Sequence, residues 1–152
     1  LVALPDSVVN NSQPVAKTAG TRIDQAYIGS CANGTQDDIE LAARVVRGKR
    51  IAAGVRFIVT PASQAVYRDV VASGAVQTLL DAGAMIAPPT CGACGGGHMG
   101  VLGPEEVCIT STTRNFKGRM GDPGSQVYMA SPATVAASAL TGVITDPREF
   151  LQ

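Results

Sequence analysis

Three cysteines sit in turn-forming surroundings: Cys31 in Gly29-Ser30-Cys31-Ala32-Asn33-Gly34, and Cys91 with Cys94 in Pro89-Thr90-Cys91-Gly92-Ala93-Cys94-Gly95-Gly96-Gly97. A fourth, Cys108, lies inside an apolar run and reads as a buried small hydrophobe. An odd number of loop thiols does not close a disulfide framework. Thiolates do hold iron–sulfur clusters, and a fully protein-ligated cubane takes four of them. With only three, one iron keeps positions open for water and substrate oxygens, and an open metal acts as a Lewis acid. The surrounding glycines let the backbone come close and turn its N–H groups toward sulfur. The same Cys-x-x-Cys spacing also suits a redox pair or half of a zinc site. His98, four residues after Cys94, could complete a Cys3His zinc site with Cys31, Cys91 and Cys94. A lone histidine in a glycine-rich loop is more often a hydrogen-bonding residue. Spacing alone leaves cluster, redox pair and zinc open.

Arg114 and Arg119 flank Asn115, Lys117 and Gly118 in one short loop. Arginine forks bind carboxylates in bidentate fashion, and two of them could orient a di- or tricarboxylate. The plainer reading is a solvated basic loop. Asn33 could hydrogen-bond a cluster sulfur or a ligand, or simply serve the turn after Cys31. Ser131 reads as a helix cap rather than a nucleophile, since no His–Asp partner set accompanies it.

The elements that must position these residues alternate between strand and helix. Ile23 to Ile28 reads as a strand ending at the Cys31 turn, and Thr35 with Asp38 resembles a capping box opening a helix. Ile39, Ala42, Ala43 and Val46 share one face of that helix, which stops at Gly48. Val55 to Val59 is a continuous, β-branched run, as expected of a buried parallel strand. Ser63 can cap the next helix, with Val66, Val70 and Val71 expected to face inward. A shorter helix over Val76 to Ala82 leads to a strand near Met85 to Ala87, which opens into the Cys91/Cys94 loop. Val107 to Ser111 and Val127 to Ala130 are further strands, and Ser131-Pro132 starts a helix ending near Gly142. The fold class expected is α/β: a three-layer α/β/α arrangement on a mostly parallel sheet. Ligands of such sheets gather outside the carboxyl ends of the strands. The Cys31, Cys91/Cys94 and Arg114–Arg119 loops all follow directly on predicted strands, so parallel strands would bring them to one edge.

Composition sets the outer limits. With 152 residues, 45% hydrophobic and 16% charged, the chain reads as one soluble globular domain with a real core. No tryptophan is present, so Val, Ile, Leu and Ala must fill that core. Twelve basic and twelve acidic residues cancel, which gives no electrostatic case for nucleic acid or an anionic membrane. No apolar stretch has the length of a membrane span, and residues 1–14 do not have the pattern of a signal peptide. Free cysteines without an export signal favour a reducing, cytoplasmic setting. Residues 1–20 are polar and turn-rich and read as a linker or docking arm; residues 21–152 form the domain. The abrupt start without Met reads as a piece of a longer chain.

Four ordered motifs carry a family resemblance: Gly-Ser-Cys-Ala-Asn-Gly at 29–34, Pro-Thr-Cys-Gly-Ala-Cys-Gly at 89–95, Thr-Arg-Asn-Phe-Lys-Gly-Arg at 113–119, and Ala-Ser-Pro-Ala-Thr-Val-Ala-Ala-Ser-Ala at 130–139. Together they resemble the aconitase superfamily, and within it the large subunits of 3-isopropylmalate dehydratase and homoaconitase. The resemblance implies the cluster-bearing third domain of such a subunit. Its cofactor would be a [4Fe–4S] cluster on Cys31, Cys91 and Cys94, with one iron not ligated by cysteine. It implies a hydro-lyase that reversibly dehydrates a hydroxy di- or tricarboxylic acid, as in leucine biosynthesis. Arg114 and Arg119 match the family's substrate-carboxylate arginines, and Asn33 and Thr113 fall in its cluster environment. The family usually has Thr where Ala32 stands and commonly Asn where Thr113 stands; losing that amide removes a hydrogen bond near the cluster. No catalytic residue is expected in this chain with certainty. The resemblance places the catalytic base on a swivelling domain or small subunit, and further groups on the remaining large-subunit domains, so the chain alone would be inactive. A non-catalytic zinc or redox module using Cys91, Cys94 and His98 stands as the alternative.

Overall fold

The computed structural model describes residues 1–6 and 11–151; Asn10 of the turn-rich N-terminal segment lies outside them. The strands are β1 (Val2–Ala3), β2 (Ser12–Gln13), β3 (Gln25–Gly29), β4 (Arg56–Thr60), β5 (Met85–Ile86), β6 (Val107–Thr110) and β7 (Gln126–Ala130). The helices are α1 (Ser30–Asn33), α2 (Gln36–Val46), α3 (Gln64–Ala72), α4 (Ala75–Ala82) and α5 (Pro132–Thr141). Among the described residues one sheet holds seven strands in the order β2-β1-β7-β6-β3-β4-β5. From β7 to β5 every neighbouring pair is parallel, with Gly29 opposite Thr60, Val59 opposite Ile86 and Tyr27 opposite Thr110. The N-terminal segment closes the far side: β1 pairs antiparallel with β7, and β2 with β1. Val2 is fully buried there.

Local sequence accounts for the helix boundaries. Thr35 accepts a hydrogen bond from the Asp38 N–H while Asp38 accepts one from the Thr35 N–H, the reciprocal box that starts α2. Gly48, at φ 70°, takes the left-handed position just past the end of α2. Ser63 caps α3 through the Val66 N–H. Ser131 caps α5 through the Thr134 N–H, Pro132 follows at the first turn, and Gly142 closes the helix at φ 78°. One expectation for α3 needs correcting. Val70 is buried, but Val71 is 55% exposed. Val66 and Val70 lie four apart and share a face, whereas one further residue turns Val71 by about 100° away from it.

The central strands are buried on both faces, as parallel strands are. On one side Ala26, Ile28, Phe57, Val59 and Ile109 pack against apolar residues of α2 to α5. Helix α5 is buried along Pro132–Ala139 and packs between α2 and strands β3 and β6; its run of Ala, Ser, Thr and Val permits that close approach. On the other side Tyr27, Ile58, Cys108 and Val127 meet Ala87, Ala93, Leu102 and Met120. Here the covering layer is loop with one short 3-10 turn at Gly92–Gly95. The connection from β5 to β6 must run from a carboxyl end back to an amino end, and it lies across this face.

Buried polar groups fix the far end of that connection. The wholly buried Gln25 donates through Nε2 to the Gly100 carbonyl at 2.8 Å and accepts from Arg56 Nε at 3.0 Å. Arg56 pairs bidentately with Glu106 at 2.8 and 2.9 Å, and Glu106 also accepts the Gly103 N–H. Hydrogen bonding to Arg56 is the main cause holding the Glu106 carboxyl below its ordinary pKa. A lowered carboxylate pKa stabilises the fold above the unfolded value and loses that contribution as pH falls through the folded one. Acid titration of the chain followed by circular dichroism should therefore show stability falling below about pH 4. Glu106→Gln should flatten that limb and, for a pair this exposed to solvent, cost only about 1 kcal/mol at neutral pH.

Candidate functional site

The first thiol is presented by a strained turn. Strand β3 ends at Gly29, φ 132°, and the next residue, Ser30, is buried with φ 56°. A left-handed non-glycine residue costs on the order of 1 kcal/mol and persists only where its surroundings hold it. Several contacts hold it here. A Cβ at Gly29 would lie 2.1 Å from the Thr60 carbonyl oxygen, and one at Gly34 would lie 2.5 Å from the same atom. The Ser111 hydroxyl accepts the Gly29 N–H at 3.2 Å, and the Asn33 side-chain amide donates to the Ser111 carbonyl. The chain therefore turns sharply off β3 into α1, leaving Cys31 exposed. Asn33 spends its amide on fastening this turn to the end of β6.

The second and third thiols ride on the loop after β5. Cys91 is exposed and Cys94 half-buried on the turn at Gly92–Gly95. Beneath this turn lies Tyr27, wholly buried, whose hydroxyl donates to the Cys91 carbonyl at 3.4 Å. A Cβ on Gly92 would stand 2.1 Å from that hydroxyl oxygen, so only glycine fits above it. Burial, chiefly, pushes the Tyr27 phenol up to about 12. The phenol therefore keeps its proton. Beside Cys91 a cleft of about 300 Å³ is lined by Thr90, Gly92, Gly95, Gly97 and the exposed His98. A Cβ at Gly97 would meet nothing within 4 Å, and one at Gly95 only the Cys91 Cβ at 3.8 Å.

The arginine loop follows β6 on the same sheet edge. Buried Asn115 anchors it, donating to the Leu4 carbonyl at 2.6 Å and to the Val127 carbonyl at 3.2 Å. Thr113 and Arg114 on one side of this anchor are exposed. Arg119 is half-buried, with its guanidinium carbon 5.6 Å from the Phe116 ring centre. Its Nε is buried without a hydrogen-bond partner. The ion pairs among the described residues, Arg56–Glu106 and Arg148–Asp146, use neither loop arginine. A Cβ at Gly96 would lie 2.7 Å from the Arg119 carbonyl oxygen, so the cysteine and arginine loops touch through their backbones. They are also tied through the Leu102 N–H to the Met120 carbonyl at 2.8 Å, and the Asp122 N–H to the Leu102 carbonyl at 2.9 Å.

The parallel strands thus bring all three sequence-selected loops to one edge. Cys108 stays apart, fully buried in the sheet, where burial pushes its thiol up to about 12. Ser131 is engaged as a helix cap. Tyr27, Ser111 and Asn115 support the site without having been selected from sequence; each bonds a residue far away in the chain, for which no local pattern exists. As to what the thiols can hold, no group of three or more His, Cys, Asp or Glu side chains converges on one point among the described residues. A tetrahedral zinc site needs that convergence. A cubane is bound differently, each thiolate taking a different iron. Three free thiols on two glycine-rich turns, with an open cleft beside Cys91, fit the larger group.

This is an α/β domain with thiols and arginines collected at the carboxyl edge of a parallel sheet. The sequence profile of the aconitase family (aconitate hydratase) matches residues 4–142, and the chain belongs to that family. It is 60% identical over 150 residues to the 3-isopropylmalate dehydratase large subunit of Mycolicibacterium smegmatis, covering 99% of this chain and 36% of that protein. It is 51% identical over 148 residues to the probable methanogen homoaconitase large subunit of Methanothermobacter thermautotrophicus, covering 97% and 34%. The match to the 3-isopropylmalate dehydratase large subunit of Picrophilus torridus is 54% over 149 residues, covering 98% and 36%. The chain spans about a third of the length of these relatives. No described helix is long and apolar enough to cross a membrane.

Burial sets an order of thiol reactivity. In the metal-free chain Cys31 and Cys91 should alkylate fastest, Cys94 more slowly, and Cys108 only after unfolding. Iodoacetamide labelling with mass spectrometry at each cysteine reads this directly. Labelling of Cys108 in the native chain at the rate of Cys31 would contradict the burial described.

Proposed function

We propose that this chain is the cluster-bearing part of an aconitase-type hydro-lyase acting on a hydroxy di- or tricarboxylic acid, with 3-isopropylmalate the foremost candidate. The observation carrying this reading is the pairing of two unlike features on one sheet edge: three unbonded thiols, and Arg119 with a buried Nε that has no partner. Cys31, Cys91 and Cys94 would hold a [4Fe–4S] cluster, which when bound supplies an open iron to polarise a substrate hydroxyl and carboxylate. The rest of the work falls to the chain's own residues. Arg119, already supported by the Phe116 ring, offers its fork to a carboxylate, and exposed Arg114 can close on a second one. Asn33 holds the Cys31 turn against β6, and Thr113 borders the arginine side.

None of the residues given roles above serves as the base for the substrate carbon. Within this reading that base comes from a swivelling domain or small subunit, as the words "large subunit" in the relatives' names suggest, and other large-subunit domains complete the pocket. The chain alone is then inactive, and its setting is cytoplasmic.

Anaerobic reconstitution with ferrous iron and sulfide tests the proposal. The chain should take up about four irons and four sulfides. Cys31→Ser, Cys91→Ser and Cys94→Ser should each abolish stable uptake, while Cys108→Ala should not. Stoichiometric zinc without acid-labile sulfide would overturn the cluster assignment. Full turnover of 3-isopropylmalate by the isolated reconstituted chain would overturn the claim that it is incomplete.

A further inference from the structure

We infer that Tyr27 is a positioning residue for the Cys91/Cys94 turn, acting through its buried hydroxyl on the peptide groups around Gly92. The side chain is 0% exposed, and its hydroxyl occupies the space that any side chain at position 92 would need. From there it donates to the Cys91 carbonyl. That bond and the tight fit beneath Gly92 set one oxygen against the backbone between the two thiols. At 3.4 Å the bond to Cys91 is at the long end of the range; the hydroxyl therefore acts by filling the gap as well as by bonding. The ring cannot shift to compensate, because it is packed among Ile58, Ala87, Ala93 and Cys108 on a central strand. Position 31 is held differently, by the Ser111 hydroxyl on the Gly29 N–H and by the Asn33 amide on the Ser111 carbonyl.

A neighbouring hydroxyl provides the control. Thr60 Oγ1 is also buried and would lie 3.1 Å from a Cβ at Gly92, yet makes no hydrogen bond. If the bond and fit of the Tyr27 hydroxyl position the turn, removing it should loosen the turn, and removing the Thr60 hydroxyl should not. Outer residues that orient metal ligands commonly change metal retention by about tenfold or more when altered.

The experiment is site-resolved alkylation of the metal-free chain for wild type, Tyr27→Phe and Thr60→Val. Tyr27→Phe should speed labelling of Cys91 and Cys94 by about two- to tenfold, leave Cys31 unchanged and keep Cys108 protected; Thr60→Val should match wild type. Unchanged Cys91 and Cys94 rates in Tyr27→Phe overturn the inference. So does exposure of Cys108, which would make the residue a general support of the fold, and so does an equal effect of Thr60→Val, which would show that the hold is not specific to the Tyr27 hydroxyl. A second arm rests on the cluster reading above. The reconstituted Tyr27→Phe chain should lose its visible cluster absorbance in air about tenfold faster than wild type, and equal retention overturns the inference. If wild type takes up no cluster, the proposed function fails while the alkylation arm still decides the role of Tyr27.

Discussion

The chain must return from the carboxyl end of β5 to the amino end of β6, because both strands run parallel to β3 and β4. In most such units a helix makes the return. Here the return is a glycine-rich loop laid directly on the sheet, and that loop carries two of the three thiols. A loop crossing a buried face would strand its peptide groups unless partners were built for them. The polar residues on this face serve that need. Tyr27 meets the loop at the carboxyl edge, Gln25 and the Arg56–Glu106 pair meet it at the amino edge, and the arginine loop pairs with it through Leu102. Gly100, whose Cβ would come within 2.8 Å of Ile58 Cδ1, lets it lie flat.

This constraint explains why the two faces of the sheet look so different. The helix face is filled by residues that obey local periodicity, so it can assemble without reference to the site. The loop face depends on long-range polar pairs, such as Gln25 with Gly100 and Asn115 with Leu4. Its apolar cluster, from Tyr27 and Ile58 to Met120, also reaches Cys94 at the rim.

The same asymmetry decides what was legible in the sequence. Capping residues Thr35, Ser63 and Ser131, the strand cores, and the three loops at strand ends could all be read, because each is encoded within a few neighbouring residues. The inward tilt of Val71 was misjudged because a single added position turns a side chain away from the stripe that Val66 and Val70 share. Joining of Val2–Ala3 to β7 had no local signal, since two-residue edge strands carry no periodicity. Gln25 and Arg56 looked like ordinary polar positions at strand starts; only the topology reveals that they face the returning loop. Ser111 at a strand end and Asn115 in the arginine loop carry no local mark of their roles, although their hydrogen bonds fasten the Cys31 turn and the arginine loop.

A division of labour among polar groups follows from these placements. The groups that shape the loops are buried and mostly paired: Gln25, Tyr27, Ser111 and Asn115. The groups suited to chemistry are exposed or left short of partners: Cys31, Cys91, Arg114 and the Nε of Arg119. Leaving a buried donor unpaired is costly, on the order of 1 to 3 kcal/mol, and folding alone would favour a partner at Arg119. Its lack of one is tolerated because Asn115 fixes the loop's backbone independently of the guanidinium. The site can therefore keep an unpaired Arg119 Nε on the same sheet edge as three free thiols. That is the condition a site needs if an anionic ligand is to be bound by groups already in place.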